Sequence, residues 1–273
     1  MRTTPQKGDF RFRKGIAKAE KGKVILLMKY YAITDVGMVR ELNEDTYLAK
    51  EYGDISLFAV FDGMGGAKAG ETASAIAREE IEKYFDNFFD DCPRTEPEAI
   101  QVALANAVDR ANFMILSVAS SDKAYEGMGT TMVAALCVTD KVYIAHIGDS
   151  RAYLIDNYGA EQLTRDHSYV QYLVDIGRIT PEEARDNPKK NIITRAVGVD
   201  KEVSVDVSVL EKEQCVGKTL LLCSDGLSNY LDAETLTKMC KEHSDSEDLA
   251  KALVAAANEA GGSDNITAII AKI

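Results

Sequence analysis

Acidic residues stand at the ends of several strand-like apolar runs in this 273-residue chain. Four aspartates each directly precede a Gly, Ser or Asn, and a Glu-Asp pair follows the first apolar run: Asp62, Asp149, Asp225, Asp264 and Glu44–Asp45. Because strand ends are rigid and several of them meet at one edge of a sheet, these carboxylates are expected to converge. Converging carboxylates repel one another unless a cation neutralises them, and all-oxygen ligand sets suit magnesium, manganese or calcium rather than zinc. The pattern predicts an enzyme that uses a hard metal ion.

The Asp-Gly steps have a second interpretation, because an isolated Asp-Gly such as Asp62-Gly63 or Asp225-Gly226 is usually a turn. Repetition of the pattern at four strand ends favours the metal site. Gly63 also permits close backbone approach, so that its carbonyl joins the ligand set. In two-metal sites the ions lie roughly 4 Å apart. One Asp can bridge such a pair, and the two ions together bind a phosphoryl group. Asp62 is the candidate bridge because it lies in the turn richest in glycine.

Composition narrows the class of protein. The length fits one large domain or two small ones, and the net charge of −12 argues against nucleic acid as a partner. The five cysteines are odd in number and form no C-x-x-C pair, so reduced thiols in a cytoplasm are expected rather than a disulfide framework. No uninterrupted apolar run approaches the ~20 residues that span a bilayer. The sequence therefore predicts a cytoplasmic protein without membrane insertion.

Residues 1–27 differ from the rest of the chain. They carry a surplus of Lys and Arg over acidic residues, whereas the remainder is strongly acidic. We expect a basic and flexible N-terminal extension over 1–27. A single domain is expected over 28–273. The alternative is that these residues form an ordinary element packed on the domain.

Helical spacing of apolar residues predicts a helix over residues 70–89, and a capping box from Thr95 to Glu98 predicts a second helix directly after it. Three strand-like runs follow, over 130–138, 141–147 and 151–155. Short turns separate these runs, so antiparallel pairing is expected.

The C-terminal half mixes helices and strands. Residues 168–198 contain two helix-like starts, followed by a segment without a periodic pattern. This combination indicates a surface flap. Strands are expected over 202–208 and 219–223, and a helix that begins near Ser244-Asp245 is expected to precede the final strand. The order of elements predicts an α+β fold in which helices cover antiparallel sheets.

Six short motifs occur in one order along the chain: Arg40-Glu41-Leu42-Asn43-Glu44-Asp45, Asp62-Gly63-Met64-Gly65-Gly66, Gly127-Met128-Gly129-Thr130-Thr131, Gly148-Asp149-Ser150-Arg151, Ser224-Asp225-Gly226 and Gly262-Ser263-Asp264-Asn265-Ile266-Thr267. Over about residues 30–273 this order and spacing resemble the metal-dependent protein phosphatases of type 2C, and most closely their compact bacterial branch, whose members oppose a membrane Ser/Thr kinase. The resemblance implies a central sandwich of two antiparallel β-sheets, antiparallel helix pairs outside it, and metal ions at one end.

The resemblance also implies roles for individual residues. Asp62, Asp225 and Asp264 correspond to direct metal ligands, and the Gly63 carbonyl corresponds to a ligand of the second metal. Glu44, or Asp45 beside it, acts nearby and partly through water. Asp149 corresponds to the ligand of a weaker third metal found in bacterial members. The implied cofactor is Mn²⁺ or Mg²⁺, with two ions in the core site.

Arg40 resembles the arginine that grips the phosphate, a task that suits a planar donor fork. Two positions depart from the family pattern. Met64 replaces a histidine that protonates the leaving group in eukaryotic relatives, so no general acid is assigned. Asn229 replaces the second carboxylate of the third metal, which puts the affinity of that site in doubt. His167 is expected to make structural hydrogen bonds rather than to catalyse.

These expectations combine into a metal-dependent serine/threonine protein phosphatase in which water attacks phosphorus directly at the dinuclear site. Its expected partners are phosphorylated proteins, including a cognate Ser/Thr kinase, and a monomer is expected. One alternative is a binding module with the same fold and an inactive site. Another is a hydrolase for small phosphate esters. Cysteine-based phosphatase chemistry is excluded because no cysteine has an arginine six positions later.

Overall fold

The computed structural model describes residues 28–65, 69–91 and 97–273, together with the backbone of three short strands before residue 28. Gly66 of the second motif and Thr95 of the expected capping box lie outside the described residues, as does most of the expected extension over 1–27.

The strands, in chain order, are β1 (Phe12–Arg13), β2 (Lys18–Glu20), β3 (Lys23–Ile25), β4 (Lys29–Asp35), β5 (Asp45–Tyr52), β6 (Ile55–Met64), β7 (Gly129–Thr130), β8 (Met132–Cys137), β9 (Lys141–Ile147), β10 (Arg151–Ile155), β11 (Ala160–Gln162), β12 (Asp206–Glu211), β13 (Thr219–Cys223) and β14 (Ile266–Lys272). The helices are α1 (Ala69–Asp91), α2 (Pro97–Ser121), α3 (Tyr169–Asp175), α4 (Pro181–Arg185), α5 (Lys212–Cys215), α6 (Asp225–Ser228), α7 (Ala233–Glu242) and α8 (Ser246–Glu259), with a 3₁₀ turn at Lys123–Tyr125.

Two antiparallel sheets form the centre of the molecule. The first has the strand order β1-β4-β14-β13-β10-β11, and the second has the order β12-β9-β8-β6-β5 with β7 paired to the end of β6. Inward-facing residues of both sheets, such as Phe58 and Val60 from β6 and Leu220 and Leu222 from β13, share one apolar layer. The sheets therefore pack face to face, which confirms the predicted sandwich.

Helix pairs cover the outer faces of both sheets. Leu57, Ala59 and Phe61 point away from the sandwich and pack against α1 and α2, so β6 is buried on both faces. The outer face of the first sheet packs against α7 and α8 through residues such as Leu221 and Leu253. By length and composition α2 is apolar enough to cross a bilayer, but one side of it, including Ile100, Leu104 and Ile115, packs in the layer between α1 and the second sheet.

One predicted pairing is wrong. β8 and β9 pair antiparallel as expected, but β10 does not pair with β9. Instead, Arg151–Ile155 pairs with β13 in the opposite sheet. The link over residues 148–150 crosses between the two sheets, whose separation of about 10 Å is within the reach of three extended residues. Gly148 begins the crossing with a positive φ of 100°.

Helix boundaries in the C-terminal half follow local signals. Thr180 and Glu183 form the capping box of α4, and Asp245 caps α8, as the sequence predicts. Ser168 caps α3, and this cap was not predicted. The strand expected over 202–208 begins only at Asp206. Helix α7 was not predicted, although Asp232 supplies its N-cap.

Candidate metal centre

The predicted site residues gather at one end of the sandwich. Each reaches that end from a different element: Asp45 begins β5, Asp62 lies near the end of β6, Asp149 lies in the link between β9 and β10, Asp225 begins α6 shortly after β13, and Asp264 precedes β14. The strand register places Asp45 directly opposite Asp62. Sheet pairing therefore brings together carboxylates that are far apart in sequence.

The carboxylates of this cluster lie close enough to repel one another, which raises their pKa values. Burial, together with the negative charges of Asp45, Asp225, Asp149 and Asp264, raises the pKa of Asp62 well above its ordinary value. Burial and the charge of Asp264 raise the pKa of Asp225 to about 6, even though Asp62 hydrogen-bonds to it. A hard divalent cation would remove this repulsion, and a donor set dominated by carboxylate oxygens suits magnesium or manganese. The described residues therefore fit such a cation.

The backbone around Asp62 is fixed by hydrogen bonds and by close packing. Its carbonyl accepts from Thr131 N at 2.8 Å and from Thr130 Oγ1 at 2.9 Å. A Cβ atom on Gly63 would lie 2.2 Å from the carbonyl oxygen of Gly70 and 2.6 Å from that of Glu44. Only glycine allows β6 to pass this close to the N-terminus of α1.

Glu44 and Asp45 both lie beside the cluster, and each side chain also has a structural partner. Ser224 Oγ donates to Asp45 Oδ2 at 2.7 Å and accepts from Thr267 N at 3.0 Å. Burial raises the pKa of Asp45 to about 7 in spite of this hydrogen bond. The Glu44 carboxylate accepts a hydrogen bond from the backbone of Gly70, in the first turn of α1, where a negative charge is favourable.

Arg40 lies across the mouth of the cluster. Its Nη2 atom is 2.9 Å from Asp264 Oδ2, and its side chain is 48% exposed. Partial burial disfavours the cation, but the charge and hydrogen bond of Asp264 outweigh this effect and raise the pKa of Arg40, with smaller contributions from Glu44 and Asp62. The guanidinium therefore faces the carboxylates while part of it remains open to a ligand.

Asn265 holds the loop that carries Arg40. Its Nδ2 atom donates to the carbonyls of Val36 and Leu42 at 3.0 and 2.9 Å, and its Oδ1 atom accepts from Glu44 N at 2.8 Å. The side chain is buried. This positioning role was not predicted, although Asn265 was quoted as part of a motif.

The positions tied to a third metal are also adjacent. Burial and the charge of Asp225 raise the pKa of Asp149 well above its ordinary value. Asn229 Nδ2 donates to Asp225 Oδ2 at 3.0 Å. An amide thus lies beside Asp225 at the position where the family pattern has the second carboxylate of the third metal. Met64 lies against Gly129 and offers no titratable group.

A second group with metal-binding residue types lies behind Asp149. His146, His167 and Asp206 place one ligand atom each within 4.8 Å of one another. However, His167 Nδ1 accepts from Gly148 N at 3.2 Å, which leaves Nε2 to donate to Asp206 Oδ2 at 3.1 Å. Both ring nitrogens are thus occupied, so His167 connects the Gly148 turn to Asp206, in agreement with the expected structural role.

Residues 168–198 form one wall beside the centre. Their ends are tied together, because Tyr169 N donates to Ile192 O and Thr194 N donates to His167 O. A cavity of about 400 Å³ separates α3 and α4 from the end of the sandwich, and Asp149, Asp225 and Asn229 line it on the side of the cluster.

The sandwich of two antiparallel sheets and the carboxylate cluster at its end fit a protein that binds hard divalent cations. The family model of protein phosphatase 2C matches residues 39–269. The serine/threonine phosphatase stp of Listeria monocytogenes is 38% identical over 240 residues, covering 88% of this chain and 93% of that protein. PstP of Mycobacterium tuberculosis, a serine/threonine protein phosphatase, is 36% identical over 252 residues, covering 92% of this chain and 46% of that protein.

Solved structures agree with the sequence relatives. The serine/threonine phosphatase Stp1 from Staphylococcus aureus superimposes with a TM-score of 0.84 at 35% identity, covering 94% of this chain and 99% of that one. The catalytic domain of PstP, solved in complex with two manganese ions, gives a TM-score of 0.77 at 36% identity, covering 90% and 97%. The chain belongs to the protein phosphatase 2C family.

Proposed function

We propose that this chain is a manganese- or magnesium-dependent serine/threonine protein phosphatase that hydrolyses phosphoserine and phosphothreonine. The observation that carries the proposal is the placement of Asp62 among four further carboxylates, with Arg40 paired to Asp264 at their edge. The relatives named above are serine/threonine phosphatases by name, which supports the same activity here.

The residues that would hold two metal ions are Asp62, the Gly63 carbonyl, Asp225 and Asp264, with Glu44 and Asp45 acting nearby. Asp149 would serve a third, weaker ion. Bound ions of this kind polarise a phosphoryl oxygen and activate water. The carboxylates would hold the metal ions in place. The hydrogen bonds to the Asp62 backbone keep this residue, the proposed bridge between the ions, rigid.

Arg40 would bind the oxygens of the phosphate. Its planar fork of donors matches a phosphate monoester, and about half of the side chain is open to solvent. Its pairing with Asp264 orients the guanidinium towards the cluster before substrate arrives. This preorganisation reduces the entropy lost when the phosphate binds.

Water, rather than a side chain, is the proposed nucleophile. Burial raises the pKa of Cys137 and of Cys223 to about 12, so neither forms a thiolate near neutral pH. In this proposal the carboxylates of the cluster bind the cations and do not attack the phosphate. No covalent phosphoenzyme is therefore expected.

The proposed substrates are phosphorylated proteins, including a cognate Ser/Thr kinase, and the proposed setting is the cytoplasm of a cell. We propose a monomer in which residues 28–273 form a single phosphatase domain. Residues 168–198 would act as its flap, because they wall the cavity beside Asp149 and Asp225.

The proposal is tested by phosphate release from a phosphothreonine peptide during a manganese titration, with p-nitrophenyl phosphate as the small-ester comparison. Release from the peptide should rise with manganese and stop when a chelator is added. Asp225→Asn should lose this response. Hydrolysis of the small ester alone would favour the alternative of a small-ester hydrolase, and no release from either substrate by folded protein would favour the inactive binding module.

A further inference from the structure

Three large exposed apolar residues flank Arg40 in the sequence. Met38, Val39 and Leu42 are 69%, 67% and 45% exposed. All three lie in the loop between β4 and β5, within two residues of the arginine that pairs with Asp264. We call Met38, Val39 and Leu42 the apolar rim. Single exposed apolar residues are common on proteins, but a group beside a binding site marks a contact surface.

The rim is held rigidly, so its exposure is a fixed property of the fold. Met38 N donates to Gly262 O at 2.7 Å, and Asn265 Nδ2 donates to the carbonyl of Val36, which precedes the rim, and to that of Leu42, the last rim residue. Gly37 has a φ of 80°, and a Cβ atom there would lie 2.2 Å from the carbonyl oxygen of Asp264. The loop is therefore fastened to the segment that carries a candidate metal ligand.

The position of Arg40 determines what passes over the rim. A phosphate held by the Arg40 guanidinium places the phosphorylated residue next to this loop. Successive residues of an extended peptide are about 3.3–3.6 Å apart, so the residues flanking the phosphorylated one lie within reach of Met38, Val39 or Leu42. The rim is thus continuous with the phosphate site.

Charge selects among the side chains that a substrate could present there. Glu41 is exposed within the loop itself, between Arg40 and Leu42. An acidic neighbour of the phosphorylated residue would be repelled by the Glu41 carboxylate. A large apolar neighbour would instead remove apolar surface of the rim from water.

We propose that the apolar rim binds a large apolar side chain within two residues of the phosphorylated serine or threonine. The preferred substrate class is then phosphorylated segments with Leu, Ile, Val, Met or Phe beside the phosphorylated position. This inference rests on the proposed function, because it concerns substrates of the same site.

The test compares two phosphothreonine peptides that differ only in the flanking residues, which are leucine in one and serine in the other. The measured quantity is the ratio of their kcat/KM values with manganese present. Burial of about one leucine side chain predicts a ratio of about tenfold for the unaltered chain. Val39→Ser should reduce this ratio towards one.

A matched control variant is Val216→Ser. Val216 is 65% exposed, similar to the 67% of Val39. It precedes β13, whereas Asp225 lies beyond the other end of that strand, after Ser224. It therefore lies at the opposite end of the sheet from the metal centre. The ratio should remain about tenfold in this variant, and circular dichroism of both variants verifies that they are folded.

A ratio near one in the unaltered chain, or a ratio that Val39→Ser leaves unchanged, overturns the proposal. The rim would then be assigned to another partner, such as a second copy of the chain.

If the protein hydrolyses neither peptide, the proposed function has failed. Fluorescence polarisation of the two labelled peptides then tests separately whether the rim binds the apolar side chain. Tighter binding of the leucine peptide that Val39→Ser abolishes supports the rim, and equal binding overturns it.

Discussion

Asp45 and Asp62 lie directly opposite each other on the neighbouring antiparallel strands β5 and β6. Like charges in this arrangement are destabilising, and burial makes the repulsion stronger because the local dielectric is low. The strand pair therefore contains a repulsion that only protons or a cation relieve. The same two strands bring both carboxylates to the end of the sandwich where we propose the metal centre.

Without metal, the protein should be more stable at pH 6 than at pH 8. Burial raises the pKa of Asp45 from 3.8 to about 7 and that of Asp225 from 3.8 to about 6. The folded state thus binds protons more tightly than the unfolded chain, so this stability is present at low pH and is lost as pH rises through 6 to 7. In a chelator, the Tm should fall by about 5 °C over this interval.

The same melting curves recorded with saturating manganese provide the comparison. The cation replaces the protons, so the decrease in Tm between pH 6 and pH 8 should disappear. A metal-free Tm that rises between pH 6 and pH 8 would contradict the coupling of these carboxylates.

Arg40→Lys should lower kcat/KM for a phosphothreonine peptide by about 10- to 100-fold. A lysine keeps the charge but loses the two-donor fork that matches phosphate. Arg78→Lys is the control, since Arg78 pairs with Glu82 within α1 and not with the cluster. Full activity of Arg40→Lys in steady-state assays would mean that the guanidinium does not hold the phosphate.

Gly63→Ala should abolish activity and destabilise the protein by about 3 kcal/mol. The added Cβ would lie 2.2 Å from a backbone oxygen of Gly70, and a backbone cannot move aside as a flexible side chain can. Gly159→Ala is the matched control, because nothing lies within 4 Å of a Cβ there. Denaturant unfolding and phosphate release measure both effects. A Gly63→Ala variant as stable and active as Gly159→Ala would show that β6 and α1 are not so close.

The sequence was most informative at strand ends. Asp62, Asp225 and Asp264 were predicted to converge because each combines a strand terminus with an adjacent turn residue, and both signals are local. The crossing of β10 into the opposite sheet was not predicted, because a short turn shows that two strands are near each other but not that they pair. Helix α7 was overlooked although Asp232 and the spacing of Leu236 and Met239 carried its signal.

The supporting network could not be predicted from one sequence. Ser224 and Asp45 are 179 positions apart, and Asn265 and Val36 are 229 positions apart. Such contacts exist only once β4, β5, β13 and β14 have taken their places at the same end of the sandwich. These contacts depend on the tertiary fold, and no periodic pattern in the sequence predicts them.

The central claim, that Asp62 organises a metal-dependent phosphatase centre, is tested most directly by one rate. Phosphate release from a phosphothreonine peptide at saturating manganese is measured for Asp62→Asn, with Asp109→Asn, exposed on α2, as the control. Loss of the proposed bridging carboxylate predicts a decrease on the order of 10³-fold or more, while the control retains its activity. A folded Asp62→Asn variant that works within tenfold of the unaltered chain would contradict the account.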